Sequence, residues 1–165
     1  MRRLIAPLLV STFALACSSE APTTASPGDV RLSRLGGAAQ GGRLFTAVLS
    51  GANEVSATGV AGVGDPDGTG TARVTVNVGR GQLCYEIAVA SILLPAAAAH
   101  IHEAPAGTNG PVIVPLAAPD ASGVSGGCAS VSREFAKELA KDPAGYYVNV
   151  HNSVYPGGAV RGQLD

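Results

Sequence analysis

"TARVTVNVGRGQLCYEIAVA", residues 71–90, holds two runs of strict alternation separated by a glycine-flanked break. In the first run Ala72, Val74, Val76 and Val78 fall on one side, and Thr71, Arg73, Thr75 and Asn77 on the other. A period of two residues marks a strand with one face in a core. The second run repeats the pattern, with Leu83, Tyr85, Ile87 and Val89 as its apolar side. Gly79-Arg80-Gly81 between them is a hairpin-sized break, so the runs are read as an antiparallel pair.

The same rhythm extends in both directions. "RLFTAVLSG" precedes the pair, and "AHIH", "PVIVPL", "GGCASV", "GYYVNVH" and "AVRGQL" follow it, punctuated by Gly, Pro, Asn and Asp. About eight short strands at this spacing predict a mainly β fold, an antiparallel β-sandwich. One segment departs from it. "SREFAKELAKDPAG" places Phe135, Ala136, Leu139 and Ala140 at helical spacing, with Ser132 as N-cap and Asp142-Pro143 as the stop. "GVGDPDGTG", residues 62–70, alternates Asp65 and Asp67 but lacks the other oxygen ligands of a calcium loop. It reads as a turn.

At 165 residues the chain has room for one domain. Its first residues, "MRRLIAPLLVSTFALAC", combine a basic start at Arg2 and Arg3 with an apolar stretch too short to span a bilayer. Residues 1–16 are therefore expected to be a signal peptide. Cys17 directly after Ala14-Leu15-Ala16 resembles a lipobox, in which that cysteine is acylated; the same alanines also form an ordinary secretion site. The chain is thus expected to be exported, as a bacterial cell-membrane or outer-membrane lipoprotein held by a lipid on Cys17, or alternatively as a secreted protein. Residues 17–42, rich in Ser, Thr, Ala, Pro and Gly, read as a flexible linker with a reach of about 25–30 Å. The globular domain is residues 43–165.

Eleven Lys and Arg, two of them in the signal peptide, face twelve Asp and Glu, and no basic run occurs in the domain. That balance argues against nucleic acid as a partner. Cys84 and Cys128 are the two cysteines left in an exported domain, and are expected to pair. The cross-link would contribute about 4 kcal/mol by restricting the unfolded chain. It matters here because the seven aromatics include no tryptophan and much of the apolar fraction is alanine, so each core side chain buries little area.

The chain has only three histidines. His100 and His102 are two apart in a strand and project to one side, while Ile101 points into the core. In "YYVNVHN", Val148 and Val150 take the core face; Tyr147, Asn149 and His151 take the other. If the strands are neighbours, three imidazoles converge on the non-core face, a set that zinc or copper accepts with one position left open. Glu103 or a water would complete the shell. The competing reading makes the histidines structural, bonding carbonyls of the turns "EAPAGTNGP" and "NSVYPGG". No serine–histidine–acid arrangement is legible, and the chain is read as non-enzymatic, with a single-site metalloenzyme of redox or hydrolytic role as the remaining alternative.

"LFTAVLSGANEV", "AHIHEAPAGTNGPVIVPL" and "YYVNVHNSVYPGGAVRGQL" resemble, in order, the motifs of the chordin-type (CHRD) domain family over residues 43–165. The Pro that usually follows "NEV" is Ser56 here. The resemblance implies an extracytoplasmic sandwich, immunoglobulin- or superoxide-dismutase-like, and defines no single biochemical role. Copper–zinc superoxide dismutase also carries a His-x-His pair on a strand, but its two-metal site needs six histidines, so that activity is not expected. Arg161 is expected beside the first strand, in a structural ion pair with Glu54. The functional expectation is an envelope-tethered, non-catalytic module holding one copper or zinc ion. The alternative is a metal-free module that binds an extracellular protein partner.

Overall fold

The computed structural model describes residues 41–165. The signal peptide, Cys17 and all of the linker but its last two residues lie outside the described residues. Eight strands follow: β1 (Arg43–Ser50), β2 (Thr69–Asn77), β3 (Gln82–Ala90), β4 (Ala98–Glu103), β5 (Val112–Leu116), β6 (Val124–Ser130), β7 (Tyr146–His151) and β8 (Val160–Gln163). One helix, α1 (Arg133–Lys141), sits between β6 and β7.

All pairings are antiparallel, and the strands form a single sheet in the order β5-β4-β7-β8-β1-β2-β3-β6. The sheet curls until its edges, β5 and β6, approach one another, giving a nearly closed barrel. The mainly β, antiparallel, eight-strand expectation is met. The refinement is that the two layers of the expected sandwich are continuous through β8–β1, where Ser50 pairs with Arg161.

The alternation of residues 71–90 sets the interior. Val74, Val76, Leu83 and Ile87 are almost completely buried, as are Phe45 and Leu49 from β1 and Ile101, Val148 and Val150 from β4 and β7. Each larger side chain in this set contributes about 1.5–3 kcal/mol by leaving water. Helix α1 begins where expected. The Ser132 hydroxyl accepts from the Phe135 N–H at 3.0 Å, and Ala136 and Leu139 are buried in the same core. Cys84 and Cys128 are cross-strand partners of β3 and β6 and form the disulfide.

The alternation fails on β7, where Tyr146 through Val150 are all buried. The inward residues face the barrel core. The outward ones, Tyr147 and Asn149, lie under loops that cross the outside of β7 and β8. The loop from Gly51 to Gly68 is pinned by Asp65 N–H donating to the Ala159 carbonyl at 2.8 Å and by Asn53 Nδ2 donating to the Arg161 carbonyl at 3.2 Å. Within it, "GDPDG" forms the expected turn, with Gly68 N–H donating to the Asp65 carbonyl at 3.1 Å. Ser56 serves its turn by hydroxyl chemistry, accepting from the N–H groups of Thr58 at 3.2 Å and Val60 at 3.0 Å. The loop after β4 joins this cover through Asn109 Nδ2, which donates to the carbonyls of Val55 and Ser56, both at 2.8 Å. A second, polar layer results: Glu54, His102, Asn149, Asn152 and Arg161 are all buried.

Candidate functional site

Strand register brings the histidines together. On the outer face of β4 and β7, His102 is opposite Tyr147, His100 opposite Asn149, and Ala98 opposite His151. His151 is therefore diagonal to His100, within reach for rings of this size. Each of the three offers one ring nitrogen, and these atoms all lie within 4.8 Å of one another. His100 Nδ1 and His151 Nε2 are 3.1 Å apart.

Two backbone carbonyls decide the tautomers. His102 Nδ1 is 2.9 Å from the Gly110 oxygen, and His151 Nδ1 is 3.0 Å from the Pro156 oxygen. A carbonyl oxygen only accepts, so both Nδ1 atoms carry the proton and both Nε2 atoms keep a lone pair. His102 Nε2 is buried and has no hydrogen-bond partner among the described residues. The cradle around Gly110 requires glycine, because a Cβ there would run into the Glu103 backbone carbonyl. Fixing a histidine through its other nitrogen is how proteins orient metal-ligating imidazoles.

Burial, reinforced by the neighbouring His151 and His102, holds the His100 pKa below its ordinary value. Burial also lowers His151, partly opposed by its bond to the Pro156 carbonyl. The neutral form, which ligates, is the favoured one. A tetrahedral ion with metal–nitrogen bonds of about 2.0–2.1 Å needs its nitrogens about 3.3 Å apart. The His100–His151 separation is already close to this, and all three nitrogens lie within 4.8 Å of one another. Three nitrogens and no carboxylate suit zinc or copper rather than calcium or magnesium.

Glu103 does not join the site. Strand alternation sends it to the side opposite His100 and His102, and its charge acts on the Tyr146 hydroxyl. The expected ion pair also needs correcting. Glu54 and Arg161 are both buried and electrostatically coupled, but no direct ion pair joins them among the described residues. The Arg161 guanidinium instead donates to the carbonyls of Pro105 at 3.1 Å and Thr108 at 2.8 Å and to Asn109 Oδ1 at 3.3 Å. It also lies 3.4 Å above the Tyr147 ring. Glu54, shut away from water, has its pKa raised to about 7 by burial, against the opposing pull of Arg161, the Val55 N–H and the Asn149 side-chain amide.

A cleft of about 490 Å³ opens beside the histidines, lined by His102, Asn149 and His151 and rimmed by Val63 and Val154. Tyr147 and Asn149 were legible as sharing the histidine face, yet nothing in the strand pattern gave them a task. Tyr147 stacks on His102 with ring centroids 4.7 Å apart. Because β7 runs between β4 and β8, it is held between His102 on one neighbour and Arg161 on the other.

The family profile of the CHRD domain matches residues 45–164, and the chain belongs to that family. No curated protein and no solved structure matches it.

Proposed function

We propose that this CHRD domain is a non-catalytic binding module that holds one copper or zinc ion through His100 Nδ1, His102 Nε2 and His151 Nε2. Family membership supports a binding module. The metal reading is carried by His102 Nε2, a buried acceptor without a partner, facing two further imidazole nitrogens. Loading requires the proton shared between His100 Nδ1 and His151 Nε2 to move to His100 Nε2, a tautomer change with no net loss of charge. Titration of copper and zinc by calorimetry into the metal-free chain lacking its leader tests this. Wild type is expected to bind one equivalent, and His100→Ala and His151→Ala to lose most of the affinity. Identical behaviour of all three overturns it.

One observation favours the metal-free alternative, a domain that binds an extracellular protein: every imidazole already has a hydrogen bond, to Gly110, to Pro156 or within the histidine pair. Those bonds to carbonyls are also what a metal site needs, so the same titration separates the readings.

The N-terminal pattern supports export and attachment of the module to a bacterial envelope by a lipid on Cys17. Incorporation of labelled palmitate, abolished by Cys17→Ser, is the expected result; equal labelling of the variant, or none in wild type, would rule the anchor out.

A further inference from the structure

Asn149 sits in the middle of the histidine cluster. It is opposite His100 in register, two residues before His151 on the same face, and only 3 % exposed. Its amide oxygen Oδ1 is buried and without a hydrogen-bond partner among the described residues. An orphaned buried acceptor costs about 1–3 kcal/mol unless a donor reaches it, and Asn149 lines the same cleft as His102 and His151. Three histidines leave a tetrahedral ion one position short.

We propose that the fourth position opens into this cleft and takes an exogenous protic ligand, one whose coordinating atom carries an N–H or O–H that Asn149 Oδ1 accepts. Water fills it at rest, and a small neutral amine-type ligand replaces it. Asn149 is then a specificity-determining residue. An aprotic anion is disfavoured by the Oδ1 lone pairs, which find no proton on it to accept. The exposed Val63 and Val154 at the mouth suit the carbon stem of such an amine. This inference rests on the metal reading above.

Cobalt(II) reports the site by its visible absorption and serves as the probe metal. The loaded chain is titrated near neutral pH with hydroxylamine, neutral and protic, and with azide, anionic and aprotic, against a small tris-imidazole cobalt chelate as reference. Wild type is expected to favour hydroxylamine over azide relative to the chelate. In Asn149→Ala and Asn149→Ser the preference is expected to fall about tenfold, the size of one hydrogen bond in a water-poor site, with azide binding more tightly and hydroxylamine less. General damage would weaken both together. A wild-type preference equal to the chelate's, or an unchanged preference in folded variants, overturns the proposal while leaving the metal site standing. Should neither variant fold, the wild-type comparison decides alone. Failure of wild type to take up cobalt removes the metal reading and this inference with it.

Discussion

His100 Nδ1 lies 3.1 Å from His151 Nε2 across a sequence separation of 51 residues. The contact exists because β4 and β7 are neighbours in a sheet whose order is far from chain order. Since the Pro156 carbonyl claims the proton on His151 Nδ1, the hydrogen between the two rings belongs to His100. The cluster is thus a hydrogen-bonded pair beside a third ring whose Nε2 has no partner among the described residues, and an ion would replace one hydrogen bond with three bonds.

An ion that binds only the folded chain stabilises it by mass action, by about 2.7 kcal/mol at a hundredfold excess over Kd. Thermal unfolding of wild type is expected to shift upward with zinc or copper. His102→Ala, which removes the buried orphan, is expected to show no shift. A shift of equal size in that variant would place the ion elsewhere.

Glu54 makes stability depend on pH in an unusual sense. Its folded pKa is raised to about 7 from an ordinary value of 4.5, with burial the main cause. Between those values the folded state holds the proton more tightly than the unfolded state, so stability falls as pH rises through this window. Below it both states are protonated, and above it the cost is constant. Comparison with Glu54→Gln cancels the contributions of groups common to both proteins. The variant is expected to gain on wild type from pH 5 to 8, reaching on the order of 1–3 kcal/mol. A flat difference across that range in denaturant unfolding would mean that Glu54 ionises freely.

The Cys84–Cys128 disulfide joins directly opposed residues of β3 and the edge strand β6, 44 positions apart in sequence. The double variant Cys84→Ala/Cys128→Ala is expected to lose about 4 kcal/mol in the chain-entropy account. Because β6 pairs only with β3, hydrogen exchange should accelerate first at the β6 amides. Uniform acceleration over all eight strands would argue that the bond acts on global stability alone.

The strands, the helix with its Ser132 cap, the disulfide and the meeting of three histidines were all legible, because each follows from periodicity, capping chemistry or the pairing of exported cysteines. What was not legible lies in the polar layer. Alternation marks Tyr147 and Asn149 as outward, and outward normally means wet; only the paths of the loops over β7 and β8 make them buried. The same loops explain why Arg161 turns to Pro105, Thr108 and Asn109 rather than pairing with Glu54. Glu103 is the opposite case. Its odd position beside Ile101 already put it on the wrong side of β4 for the cluster, so proximity in sequence misled where strand geometry would not have.

Arg161 couples the fold to the site. Its guanidinium, 1 % exposed, spans two carbonyls and an amide oxygen of the loop after β4, and that loop carries the Gly110 carbonyl that fixes His102. Lysine has a charge but neither the planar fork nor the stacking surface for Tyr147. Arg161→Lys is therefore expected to cost about 3 kcal/mol in unfolding free energy, the scale of losing charge-assisted hydrogen bonds in a buried setting. It is also expected to weaken zinc binding about tenfold, as loss of an outer-shell support does. The control is Val160→Ala, a truncation of a fully buried core residue on the same strand, expected to cost ~2 kcal/mol. It faces the barrel interior and leaves the loop in place, so its zinc affinity should stay at the wild-type value. If both variants lose stability and only Arg161→Lys loses zinc, the loop transmits the effect. If both lose zinc in proportion to stability, His102 is held by the barrel as a whole and the Arg161 fork has no separate part in the site.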